Sequence, residues 1–114
     1  MNKYQLFKAG IDVKGALVKF DNNEEFYETM LQEFVEAPEY EKLCQALLKG
    51  EVEQAFEEAH KLKGTTGNLN MDVFYHVVCP LVEALRNKNL KLARELFPAV
   101  EKSYKNVIAA IGGS

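Results

Sequence analysis

From Leu90 to Ile111 the apolar residues fall at Leu90, Ala93, Phe97, Val100, Tyr104, Val107 and Ile111, stepping by three and four without a miss. An α-helix turns once in about 3.6 residues, so this spacing draws one unbroken stripe along roughly six turns. A strand would need alternation with a period of two, and no stretch of the chain sustains it. A stripe of that length has to be covered by other helices carrying stripes of their own. It reads as the seam of a helix bundle.

The rest of the chain supplies those partners. Tyr4 to Ala9 reads as a short helix stopped by Gly10, and Asp12 can cap a second with Val13, Ala16, Leu17 and Phe20 along one side. Asp21-Asn22-Asn23 is a turn, and Asn22 with Glu25 resembles a capping box opening a longer helix. Phe26, Tyr27, Met30, Leu31, Phe34 and Val35 form its apolar face, which Tyr40, Leu43, Cys44, Leu47 and Leu48 continue beyond Pro38. Proline lacks the amide hydrogen, so one kinked helix and two shorter helices both fit. After Gly50, the segment Glu51 to Leu69 turns Val52, Ala55, Phe56, Ala59, Leu62 and Leu69 inward and Glu57, Glu58 and Lys61 outward. Asn68 to Asn70 ends it. Met71 to about Arg86 follows, with Phe74, Val77, Val78, Leu81 and Leu85 inward and Pro80 inside. Asn87-Lys88-Asn89 turns the chain into the seam helix, where Pro98 stands just outside the stripe, and Gly112 to Ser114 is a frayed tail. The expectation is an all-α fold, an antiparallel up-down four-helix bundle over about residues 22–111. Short extra helices over about 1–20 would cover one end, in a single domain of residues 1–114.

Composition narrows the function classes. Hydrophobic residues make up 47% of the 114, enough for a core. Fourteen basic against seventeen acidic residues give a net charge of −3, with no basic run, which argues against nucleic acid as a partner. No apolar run approaches the ~20 residues that span a bilayer, and the N-terminus lacks the apolar core of a signal peptide, so a cytoplasmic protein without membrane insertion is expected. Cys44 and Cys79 each sit inside an apolar helical pattern with no CxxC spacing, as reduced thiols packed like small hydrophobes. With His60 and His76 the only histidines, no metal site is expected.

The chemistry gathers in Ala59-His60-Lys61-Leu62-Lys63-Gly64-Thr65-Thr66-Gly67-Asn68-Leu69. On a helix His60, Lys63, Gly64 and Gly67 stand at i, i+3, i+4 and i+7, on one side of the cylinder and on the flank of the apolar stripe. Imidazole can act as a nucleophile near neutral pH. Acyl transfer would ask for a serine or cysteine and an oxyanion hole, and none is identifiable. Phosphoryl transfer asks for a positioned nucleophile and positive charge for the phosphoryl oxygens. Lys63 can supply that charge. Each glycine costs about 1 kcal/mol relative to alanine inside a helix, so two beside a histidine imply either access for a bulky partner or close packing against another helix. His76, among Tyr75, Val77 and Val78, has no such company and reads as structural or merely exposed.

That segment resembles the signature of the histidine-containing phosphotransfer (HPt) domain, approximately A-H-x-L-K-G-x-x-x-x-L-G. Gly10, Asp12, Ala16, Leu17, Phe20, Tyr27, Leu31 and Phe34 resemble its usual opening. Leu81-Val82-Glu83 lies where an L-E pair commonly follows a cysteine, here Cys79. Asn70 replaces the usual glycine and Val82 the usual leucine. The resemblance implies a phosphoryl carrier of multistep two-component signalling, not an autonomous ATP-dependent kinase. His60 would accept and donate the phosphoryl group, Lys63 would stabilise its oxygens, and Gly64, Gly67 and Asn68 would belong to the docking face, with the N-terminal helices nearby. It implies no cofactor bound by this chain, with magnesium in the partner. The implied partners are receiver domains of response regulators or hybrid sensor histidine kinases, met by a monomer whose docking face stays open. A non-catalytic helical adaptor that binds receivers without carrying phosphate is the alternative.

Overall fold

The computed structural model describes residues 1–113. Helices α1 (Lys3–Lys8), α2 (Val13–Lys19), α3 (Glu24–Glu36), α4 (Glu39–Lys49), α5 (Val52–Asn68), α6 (Asp72–Arg86) and α7 (Leu90–Gly112) follow one another, and no strand occurs among the described residues. Gly112 closes α7 instead of fraying, and Ser114 lies outside the described residues.

Short polar side chains set the helix starts. Asn2, Asp12, Asn23 and Asn89 each accept a hydrogen bond from a backbone amide of the first turn of α1, α2, α3 and α7. The cap of α3 is therefore Asn23, not Asn22. Asn22 has φ +59° and, with Asp21 at +53°, makes the left-handed corner that precedes the cap.

The three prolines have different outcomes. Ala37 is extended at ψ 141°, as a residue before proline is driven to be, and Pro38 becomes the start of α4, so two helices replace one kinked helix. Pro80 and Pro98 lie within α6 and α7, which run on past them. Both prolines face solvent, where water can reach the carbonyl each leaves without a donor, and the buried faces of α6 and α7 hold the helices together.

The broken pair α3–α4 makes the first stave of the bundle. The Tyr27 hydroxyl at the start of α3 donates to the Leu69 carbonyl after α5 at 2.7 Å. Arg94 near the start of α7 donates from Nη2 to the Leu47 carbonyl near the end of α4 at 2.8 Å. These two ties show α3–α4 running opposite to both α5 and α7. With α6 returning between them, the result is an up-down-up-down four-helix bundle. Gly50, at φ +75°, makes the left-handed stop between α4 and α5.

Tyr27, Leu31, Leu43, Ala55, Ala59, Phe74, Val78, Leu81, Val100 and Val107 are fully buried along this axis. Tyr40 stacks on Tyr104 at 3.6 Å and 5°, and Phe97, Phe34 and Phe74 pack around them, fastening the first stave to α6 and α7. Two residues expected on the inner face lie outside it: Phe26 is 47% exposed and Leu48 80%. Phe26 still packs edge-on against Phe20 at 5.5 Å.

At the end where α5 stops and α6 begins, α1 and α2 form a cover. Val73 donates its amide to the Gly10 carbonyl at 3.2 Å, and Asp12 its amide to the Asn70 carbonyl at 2.8 Å. Among the described residues no helix is long and apolar enough to cross a membrane.

Candidate functional site

His60 stands in the middle of α5, exposed. Its ring lies against that of Phe56, one turn earlier, with centroids 5.7 Å apart and planes at 53°. No group among the described residues hydrogen-bonds to the imidazole, so both ring nitrogens are open to an incoming group. Lys63 is half-buried, and its ammonium has no ion-pair partner among the described residues. Gly64, one turn after His60, faces solvent, and a Cβ added there would meet nothing within 4 Å.

Phe56, Lys63 and Gly67 follow one line of α5, at i, i+7 and i+11. Both ends of that line meet α6. The Arg86 guanidinium lies over the Phe56 ring at 5.0 Å, and the Tyr75 ring comes within 3.3 Å of where a Gly67 Cβ would be. Lys63 therefore stands on the α6 side of His60. Cys79 next to Tyr75 pushes that hydroxyl's pKa up, chiefly through a hydrogen bond.

The two glycines part company here. Gly64 answers no packing demand, whereas Gly67 gives the Tyr75 ring room against α5. Gly67 and the exposed Asn68 lie two turns beyond His60, about 10 Å along the axis. There α2 reaches the same end. Lys19 Nζ donates to the Gly67 carbonyl at 3.1 Å and to Asn70 Oδ1 at 2.6 Å, while Asn70 Nδ2 donates to Asp12 Oδ2 at 3.5 Å. Asn70 takes φ +55°, the backbone that a glycine would otherwise supply.

Glu58 departs from the outward position expected for it. It is 1% exposed, between Ala55 and Leu62 on the buried stripe. Gln54 Nε2 donates to its Oε2 at 3.0 Å, and Lys61 Nζ stands 3.5 Å from Oε1, which accepts no hydrogen bond. The pairing with Lys61 is what makes the burial of this carboxylate tolerable. Glu57 and Lys61 are exposed, and so is His76.

A family model for the Hpt domain matches residues 25–110. The chain belongs to the Hpt domain family. No curated protein sequence and no solved structure matches it. The matched span takes in α3 to α7 and leaves α1 and α2 outside. Hpt domains are phosphocarriers, not kinases, and work with receiver domains in two-component phosphorelays. Among the described residues no group of three or more histidine, cysteine, aspartate or glutamate side chains is placed to hold a metal ion. Sequence reasoning missed Arg86 over the Phe56 ring that neighbours His60, and Lys19 as the clasp on Gly67, because each depends on which residues two helices bring opposite one another.

Proposed function

We propose that this Hpt domain relays phosphoryl groups between receiver-domain aspartates through a phosphohistidine at His60. The observation that carries the reading is the state of that side chain: exposed, with neither ring nitrogen engaged, an uncommitted lysine one turn away and a bare glycine beside it.

In the transfer, a lone pair on an imidazole nitrogen attacks the phosphorus of the receiver's aspartyl phosphate. An N–P bond forms as the acyl P–O bond breaks, and the electron pair leaves on the aspartate carboxylate. The ring holds the positive charge until the proton on its other nitrogen passes to solvent. Return transfer to a second receiver reverses each step. Lys63 offsets charge on the phosphoryl oxygens. Gly64 lets the receiver bring its aspartate close, with Gly67 and Asn68 at the edge of the docking face. In this reading the receiver supplies the magnesium ion, the chain acts as a cytoplasmic monomer, and the receivers belong to response regulators or hybrid sensor kinases.

The test is incubation with a phosphorylated receiver, with His60→Gln in parallel. Wild type should take up an acid-labile, alkali-stable label that the variant lacks. A folded wild-type chain that binds receivers yet takes no label would make it a non-catalytic adaptor.

A further inference from the structure

A phosphoryl group on His60 would carry up to two negative charges, and Lys63 offers one positive charge. The lysine nearest in sequence is committed elsewhere: Lys61 pairs with Glu58 on the opposite flank of α5. A second cation comes from α6. The Arg86 guanidinium lies over Phe56 at 5.0 Å, and Phe56 lies against His60 at 5.7 Å, so guanidinium and imidazole have one ring as a common neighbour. Phe56 is one turn before His60 and Lys63 one turn after it, both on the α6 side. A phosphoryl group on the imidazole would thus be bracketed along the helix axis by Lys63 and Arg86.

Arg86 is lightly held. Its Nε donates to Glu83 Oε2 at 3.2 Å, three residues away on the same helix, with the two side chains 48% and 56% exposed. Such a pair in water contributes little. The planar guanidinium can offer two parallel N–H bonds to phosphoryl oxygens, a stronger arrangement than its present one. The apolar Phe56 ring is a surface on which it can slide. Glu53, Glu57 and Lys88 line the same groove; the two carboxylates would repel a bound phosphoryl group, Lys88 sits in the turn after α6, and Arg86 is the cation that stands over the Phe56 ring.

Resting on the phosphohistidine reading above, we infer that Arg86 is a second phosphoryl-binding cation, parked on Phe56 and Glu83 in the unmodified protein and transferred to the phosphoryl oxygens when His60 is loaded.

The experiment compares wild type, Arg86→Gln and Arg86→Lys as full chains. Each is loaded from a phosphorylated receiver and, separately, with potassium phosphoramidate. Two quantities are read: the transfer rate at saturating receiver, and the pH at which the phosphohistidine 31P resonance titrates. Arg86→Gln should slow saturated transfer roughly tenfold, less than the loss of a fully enclosed donor because the site is open to water. It should also raise the pH of the 31P titration, since losing a cation favours the protonated phosphoryl group. Arg86→Lys should restore most of both. A labelled Arg86→Gln variant with wild-type saturated rate and titration overturns the inference. So does one that only binds receivers more weakly, which makes Arg86 a docking residue. A wild-type chain that takes no label from receivers refutes the relay reading itself, a pattern distinct from either.

Discussion

At the scale of single residues, Gly64 and Gly67 separate access from packing. Gly64→Ala adds a methyl group to open space and removes the helix cost of glycine, so it should stabilise the chain by about 0.5–1 kcal/mol in urea unfolding. Gly64→Gln should keep the helix content and lose transfer from receivers; a glutamine variant that transfers at the wild-type rate removes the steric role. Gly67→Ala must displace the Tyr75 ring and should gain nothing in the same unfolding assay. The register of His60, Lys63 and Gly64 was legible from spacing alone, because a helix fixes which neighbours share a side. The two roles of the glycines were not, because packing depends on the facing helix. Glu58 was illegible for another reason: a carboxylate between Ala55 and Leu62 belongs by pattern to the core and by charge to solvent. Only Gln54 and Lys61, folded back along the same helix, let the pattern win.

At the scale of elements, the junction of α5 and α6 rests on one asparagine. Asn70 turns the chain at φ +55°, accepts from Lys19, donates to Asp12 and offers its carbonyl to the Asp12 amide, so α2 is clasped to the bundle at one residue. A glycine at this position would supply the turn and nothing else. Asn70→Ala should therefore cost about 2 kcal/mol, from the left-handed backbone and the lost side-chain bonds together. Asn70→Gly, which keeps the backbone at ease, should cost roughly half as much. Urea midpoints for the two variants decide the matter: equal losses would mean that the backbone angle contributes nothing. The helices themselves were readable, as Gly50, Asp12 and Asn70 mark their ends by local chemistry. Pro38 was ambiguous in sequence, since a proline's effect is set by what packs beyond it. Here it splits a stave, while Pro80 and Pro98, on solvent faces, leave α6 and α7 whole.

At the scale of the molecule, one buried and two half-buried tyrosines couple the bundle's stability to alkaline pH. Burial holds the Tyr27 hydroxyl's pKa well above its ordinary value, with the Asp12 and Asp72 carboxylates adding to the effect, while its proton serves the Leu69 carbonyl. Burial raises Tyr40 too, aided by the Cys44 thiol, and burial raises Tyr104. A folded-state pKa above the unfolded value of about 10 means that the unfolded chain gives up its protons first as pH rises. The stabilisation is complete below pH ~10 and is lost progressively as pH climbs from there toward the folded-state values. The urea midpoint should thus hold steady up to about pH 9 and fall above about pH 10. Tyr27→Phe should lower stability by roughly 1 kcal/mol at neutral pH through the lost hydrogen bond, yet decline less steeply above pH ~10. Parallel alkaline declines in the two proteins would show that Tyr27 does not carry its share. All three tyrosines join the first stave to the helices around it, and His60 stands on the outer side of α5. The stability of the bundle and the availability of its nucleophile therefore answer to different groups, and the alkaline loss should appear without any change in the imidazole's surroundings at neutral pH.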